Sequence, residues 1–310
     1  MAARARPLAV VTKETRTPIQ EAGHAWLAHL RAEGRSVKTL YDRERNLFAI
    51  VIPHLAGQGV TDPERITSRA LDQLAVALAD GGRSPATVAT YLRDVKAFLR
   101  WMTAEGDLEK TPAVPKVAQP LRHPEVLTDG EYRKLIVTAE QQHPRDALIV
   151  RVMGEAGLRA SEVIGLREED LMELTGGRYQ LRAVGKGNKE RLASLPPDLG
   201  RDIRRYIRRR PAGSGRIFLS RQRARGSYQP LSKDAVTHLI ERLGKTADID
   251  KPVHPHVLRH TFATRAAARG VDPLMLADQL GHTTLTMVRR YIQLSGQQQA
   301  GRWDRIWLEW

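Results

Sequence analysis

The run RYQLRAVGKGNKERLASL, residues 178–195, decides the fold class. Arg178 to Val184 alternates apolar and polar residues with the period of a half-buried strand, Gly185 to Lys189 is rich in turn formers, and Arg191 to Leu195 can return as the partner strand. It is the one β island in a chain whose other periodicities are helical. Toward the N-terminus, Thr128 caps a helix over about 129–140 and Arg145 to Glu155 is a strongly apolar one. Gly157 can close that helix, and Ser161 is placed to cap the next.

Further upstream four helices precede a proline-rich stretch. Thr17, Pro18 and Gln20 form a capping box ahead of Ile19, Ala22, Trp26, Leu27 and Leu30. Ser36 opens a second helix, with Pro53 where it should stop; a third runs from about Ser68 to Gly81; Ser84 and Pro85 start a fourth that carries Val88 to Met102. These predict a helical domain over 17–105. Residues 106–122 hold Pro112, Pro115 and Pro120 without periodicity, a linker whose 17 residues could span about 55 Å when extended. Residues 1–16 read as a flexible basic arm, and 123–310 as a second, larger domain.

Fifty Lys and Arg against 35 Asp and Glu give a net charge of +15 over 310 residues, +4 of it in residues 1–105 and +11 in the rest, so both halves are basic. A polyanion, nucleic acid first, is the expected partner. The chain has no cysteine, which excludes disulfides, thiolate metal sites and a cysteine nucleophile. No apolar run approaches the roughly 20 residues of a membrane span. The expected compartment is the cytoplasm.

Four further segments carry chemistry. On a helix, His256, Arg259 and His260 share one face. Zinc fits them poorly, because the metalloprotease pattern needs Glu where Val257 stands and Arg259 would repel a cation. Ordinary helix-start histidines and a phosphate site remain as readings. Arg159 lies at a helix junction, beside either a surface partner or an orienting one in Glu162. Lys186 sits at the hairpin tip, solvated or delivered into a cleft, and the run lacks P-loop spacing. Gly281 should end a helix, with His282 beyond it and Tyr291 on a short helix started by Thr283 or Thr284. Tyr291 is a core anchor or, among these cations, a nucleophile whose phenolate they would stabilise.

Together, Gly-Leu-Arg-x-Ser-Glu at 157–162, Gly-Lys-Gly-Asn-Lys-Glu-Arg at 185–191, His-x-Leu-Arg-His at 256–260, Leu-Gly-His at 280–282 and Tyr291 resemble the tyrosine recombinases, the phage integrase family. The likeness is strong over about 127–295 and looser over 17–105. It implies a mainly α fold: a four-helix, SAM-like core-binding domain and an α-rich catalytic domain with a small antiparallel β-sheet. The two would close around DNA as a C-clamp. It also implies roles. Arg159, Arg259 and His282 would bind the scissile phosphate and Tyr291 would attack it to give a 3′-phosphotyrosine. Lys186 would protonate the leaving 5′-oxygen and His256 would assist proton transfer at the tyrosine, with His260 and Glu162 in support.

Neither metal nor cofactor is expected: no carboxylate trio has a convincing spacing, and the arginines can supply the charge of a divalent ion. Double-stranded recombination sites are the substrate, exchanged through a Holliday junction by a homo-tetramer or a tetramer of paired recombinases, in a prokaryote at the nucleoid. Arg201, Arg204, Arg205 and Arg208, with Lys189 and Arg191, are candidate DNA contacts. Trp303, Ile306, Trp307 and Trp310 recur at helical spacing on a tail helix over about 300–310. That face either folds back on its own core or docks into a neighbouring subunit, as the resemblance implies. The alternatives are relaxation of the type IB topoisomerase kind and a DNA-binding protein without catalysis.

Overall fold

The computed structural model describes residues 16–118, 124–185, 188–210, 215–224, 227–282, 284–285, 287–289 and 291, the side chains of 222–224 and 227 excepted. The chain divides near residue 121 into two units. The basic arm, Lys186 and the tryptophan-rich tail lie outside the described residues.

In the first unit, helix α1 (Pro18–Ala32) starts on the expected capping box, with Thr17 and Gln20 satisfying each other's backbone N–H. Helix α2 (Val37–Asn46) is capped by Ser36. Pro53 does not stop this helix. The chain passes through a π-helical turn, Leu47–Val51, in which Ile52 N–H reaches back five residues to Leu47 O, and continues as α3 (Ile52–Gly57). A proline ring ordinarily collides with the carbonyl four residues back; the widened turn absorbs that conflict. Helix α4 (Ser68–Asp80) takes its cap from Thr67. Helix α5 (Pro85–Glu105) begins on Ser84 and ends on Gly106 at φ +91°. Trp26, Leu71, Leu74, Phe98, Leu99 and Met102 fill the core between them. Val114 and Val117 of the proline-rich stretch also pack on this core.

The second unit is built around α7 (Pro144–Glu155), whose Ile149, Val150, Val152 and Met153 are fully buried. Helices α6 (Asp129–Gln142) and α8 (Ala160–Gly165) flank it in sequence. A three-stranded antiparallel sheet follows in the order β1 (Leu171–Leu174), β2 (Arg178–Val184), β3 (Glu190–Leu195). Tyr179, Leu181 and Ala183 turn inward from β2, as the period of two requires, and Leu181 faces Ala193 across the β2–β3 ladder. Helix α9 (Pro197–Arg209) lies against this sheet at Gly200, where a Cβ would come within 2.1 Å of the Tyr179 ring.

A second hairpin, β4 (Leu219–Ala224) with β5 (Ser227–Pro230), was not expected. Its strands lack the apolar alternation that would announce them. Helices α10 (Lys233–Thr246), α11 (Pro255–Ala268) and α12 (Pro273–Leu280) complete the unit. A separate small core of Ala263, Ala266, Leu276, Ala277, Leu280 and Val288 surrounds Tyr291.

Candidate active site

Two left-handed glycines bring the site together. Gly157, at φ +71°, turns the chain from α7 into α8 with so little space that a Cβ would lie 2.6 Å from the Phe262 ring and 2.8 Å from Leu280. Gly281, at φ +63°, ends α12 against the stem of Arg191, 2.7 Å from where its Cβ would be. A side chain at either position would meet both strain and a clash. Arg259, buried on α11, donates from Nη1 to Gly157 O and from Nη2 to Leu280 O, so one guanidinium braces both turns.

Arg159 takes the N-cap position of α8 that sequence spacing assigned to Ser161. The cap is built by Glu162, whose carboxylate accepts from Arg159 N and Nη1 at 2.8 Å each. Glu162 is only 2% exposed and takes a third hydrogen bond, also 2.8 Å, from Arg191 Nη2. Arg191 was read as a DNA contact with Lys189; it sits inside the cation cluster, whereas Lys189 is exposed and touches the hairpin base through its own carbonyl, which accepts from Gly185 N at 2.8 Å. A Cβ on Gly185 would lie 3.5 Å from Glu162 Oε1, so the hairpin carrying Lys186 starts at this cluster.

Tyr291 is 3% exposed, and its hydroxyl lies 2.8 Å from His260 Nδ1. The His282 ring stacks on the phenol with centroids 6.4 Å apart, and the exposed His256 lies one helical turn before His260, ring centroids 6.3 Å apart. The phenol hydrogen bond therefore belongs to His260, while His256 faces outward on the same side of α11. The two share one helix face, and sequence spacing alone cannot rank them.

The charge is unbalanced. Three guanidinia, of Arg159, Arg191 and Arg259, gather around the single carboxylate of Glu162. Burial, then repulsion from Arg159, presses Arg259 down to about 9. Burial, then Arg259, Arg159 and Arg191, pushes His282 from 6.5 down to about 4, so its ring is neutral at pH 7. His282 Nδ1 and Arg191 Nε and Nη1 are buried without a hydrogen-bond partner in the protein. Buried polar atoms concentrated at one under-neutralised spot fit an oxygen-rich anion. Among the described residues no group of three or more His, Asp or Glu is placed to hold a metal, and no helix is long and apolar enough to cross a membrane.

A cleft of about 750 Å³ lined by His143, Arg145, Arg151, Tyr206 and Tyr228 shares no lining residue with this cluster. On α9, Arg201, Arg204, Arg205 and Arg208 are all exposed; Arg204 and Arg205 pair with Glu173 and Asp202, and Arg201 and Arg208 make no ion pair among the described residues.

Residues 125–298 match the phage integrase family. Tyrosine recombinase XerD of Listeria innocua is 26% identical over 277 residues, covering 85% of this chain and 90% of the relative. Tyrosine recombinase XerA of Thermococcus kodakarensis is 32% identical over 218 residues, 70% of this chain and 74% of the relative. Among solved structures, the Tn1549 transposon integrase in complex with transposon right end DNA superposes with a TM-score of 0.71 at 20% identity, covering 91% of this chain and 99% of that one. A lambda integrase dimer bound to a core site gives 0.69 at 20% identity, covering 87% and 96%.

Proposed function

This chain belongs to the phage integrase family and is a tyrosine site-specific recombinase, and from that premise we propose how its side chains divide the chemistry. Arg159 and Arg259 bind the non-bridging oxygens of the scissile phosphate and His282 adds a hydrogen bond, offsetting the charge that builds on pentacoordinate phosphorus. The Tyr291 oxygen attacks phosphorus and the bond to the 5′-oxygen breaks. The phenol proton leaves toward the imidazoles of α11, with His260 holding the hydroxyl and His256 assisting the transfer. Lys186 protonates the departing 5′-oxygen. Glu162 keeps Arg159 in place.

The 3′-phosphotyrosine retains the energy of the phosphodiester, so a 5′-hydroxyl from a partner strand can reverse the attack without ATP. That reversal exchanges strands between two sites through a Holliday junction. The reading includes four protomers on two DNA sites, residues 17–105 as the core-binding domain, and the tail at Trp303, Ile306, Trp307 and Trp310 as an intersubunit contact. Its place of action is the nucleoid of a prokaryotic cytoplasm.

The observation that carries the reading is the cluster of three guanidinia on one buried carboxylate, beside an enclosed tyrosine. A nicked suicide duplex bearing the chain's own site should trap a covalent protein–DNA adduct, and Tyr291→Phe should abolish it. Wild type that binds the site without forming the adduct would overturn the assignment. A supercoiled plasmid with one site separates the topoisomerase alternative: relaxation without two-site recombinants would favour it.

A further inference from the structure

Strand β3 departs from its own alternation at one residue. Ala193 and Leu195 turn inward as its period of two requires, and the inward position before them holds Arg191, opposite the buried Ala183 of β2. Leu192, on the other face, is 52% exposed. For stability alone an apolar residue would serve at least as well at 191, because an ion pair taken out of water seldom repays its desolvation. A charge set against the local pattern marks a place where function asks for it.

The hydrogen bonds of Arg191 show which part of it is uncommitted. Its side chain is 11% exposed, and Nη2 donates to Glu162 Oε2 at 2.8 Å. Nε and Nη1, which carry more than half of a guanidinium's N–H donors, are buried with no partner among the described residues. The other two guanidinia are already engaged at both ends. Arg259 gives its terminal nitrogens to the carbonyls of Gly157 and Leu280, and Arg159 gives Nη1 to Glu162 and Nη2 to Gly281 O at 3.3 Å. A Cβ on Gly281 would lie 2.7 Å from Arg191 Cδ and Nε and 3.7 Å from Arg159 Nη1, so the two side chains flank one point of the backbone. The next residue is His282, whose Nδ1 is likewise buried and unpartnered. The idle donors of Arg191 thus lie between the groups assigned to the phosphate, and a guanidinium there is matched to a phosphate oxygen.

We propose that Arg191 is a further catalytic residue: through Nε and Nη1 it binds a non-bridging oxygen of the scissile phosphate and meets the charge that gathers there as Tyr291 attacks. This rests on the assignment of Arg159, Arg259 and His282 to that phosphate.

The test removes charge from the substrate as well as from the protein. In a methylphosphonate a methyl group replaces one non-bridging oxygen of the scissile phosphate, and each of the two diastereomers lacks a different oxygen. The full chain and its Arg191→Lys, Arg191→Ala and Arg159→Ala variants are compared at saturating protein on nicked suicide duplexes. These carry the phosphodiester or one methylphosphonate in a site selected from random sequence by binding. Lysine keeps the ion pair with Glu162, and with it the fold, but its single nitrogen cannot hold Glu162 and the phosphate together. Both Arg191 variants should cleave the phosphodiester ~100-fold more slowly than wild type. On at least one methylphosphonate the deficit should shrink to about threefold or less, because the oxygen that Arg191 meets is gone. An Arg191→Lys enzyme that cleaves the phosphodiester at the wild-type rate would mean that the residue only holds Glu162, and overturns the inference. Equal deficits on all three substrates, beside an Arg159→Ala enzyme that a methylphosphonate does rescue, overturn it as well. An Arg159→Ala enzyme that neither diastereomer rescues overturns the assignment of the phosphate site, and the inference with it.

Discussion

Glu162→Gln tests the charge arithmetic of the site directly. The wild-type carboxylate takes three hydrogen bonds of 2.8 Å, two from guanidinia and one from the backbone N–H that opens α8. Glutamine keeps the length of the side chain and one oxygen, so the helix cap can survive. It cannot keep the charge, and its amide nitrogen must face a guanidinium. A hydrogen bond to a charged partner contributes about 1.5–3 kcal/mol against about 1 for a neutral pair. Weakening one such bond and losing another costs ~2–4 kcal/mol, close to the ~3–5 found when a buried ion pair loses a partner. For a unit of this size each kcal/mol moves Tm by roughly 2–4 °C, so a fall of about 4–16 °C is expected for the calorimetric transition of the second unit.

The same substitution leaves three guanidinia with no carboxylate, and an anion should then stabilise the variant more than the wild type. Sulfate compared with chloride at equal ionic strength provides the measurement. A Tm within about 2 °C of wild type, or equal responses to sulfate, would refute the claim that the Glu162 carboxylate holds the cluster together.

Two further outcomes follow from the same geometry. His282 has a folded pKa of about 4 against 6.5 in the unfolded chain, so the unfolded state binds the extra proton between those values. Its contribution is complete above 6.5 and is lost as pH falls toward 4, about 1–2 kcal/mol after allowing for its partial exposure; urea midpoints at pH 7 and 4.5 should differ less in His282→Gln than in wild type. On α9 all four arginines are exposed, but Arg204 and Arg205 already face carboxylates, whereas Arg201 and Arg208 make no ion pair among the described residues. Replacing Arg201 and Arg208 with alanine should lower the slope of log affinity against log salt by up to ~1.8 and leave the cleavage rate at saturation intact, whereas Arg204→Ala should change the slope far less, as fluorescence anisotropy titrations can show.

What sequence could reveal was set by how far a residue's partner lies along the chain. The Thr17–Gln20 capping box and the Thr128 cap are closed within three residues, and the structure has both, the latter completed as a box by Glu131. The β2–β3 hairpin showed itself through its own alternation. Pro53 misled because its usual effect was cancelled by a π turn that no local pattern announced, and β4–β5 stayed hidden because its polar strands have no apolar face. Ser161 looked like a cap from its residue type, yet the position belongs to Arg159, since Glu162 can bond both its backbone and its guanidinium.

Within the site the same rule separates what was seen from what was missed. Arg159, Arg259, His282 and Tyr291 were visible as motif residues, but the partners that fix them lie far off in sequence. Arg191 reaches Glu162 across 29 residues, and Gln279 reaches Ser194 across 85 and Ala156 across 123. Motif reading therefore gave Glu162 one arginine where the fold gives it two. The second arginine changes the physics. The motif residues Arg159 and Arg259 beside Glu162 already leave one positive charge in excess, and Arg191 adds a second. Three guanidinia around one carboxylate, with burial and then mutual repulsion pressing Arg259 down to about 9 and His282 to about 4, leave an excess of positive charge among the described side chains of the cluster. The long-range contact of Arg191 with Glu162 is what adds the third guanidinium to that carboxylate.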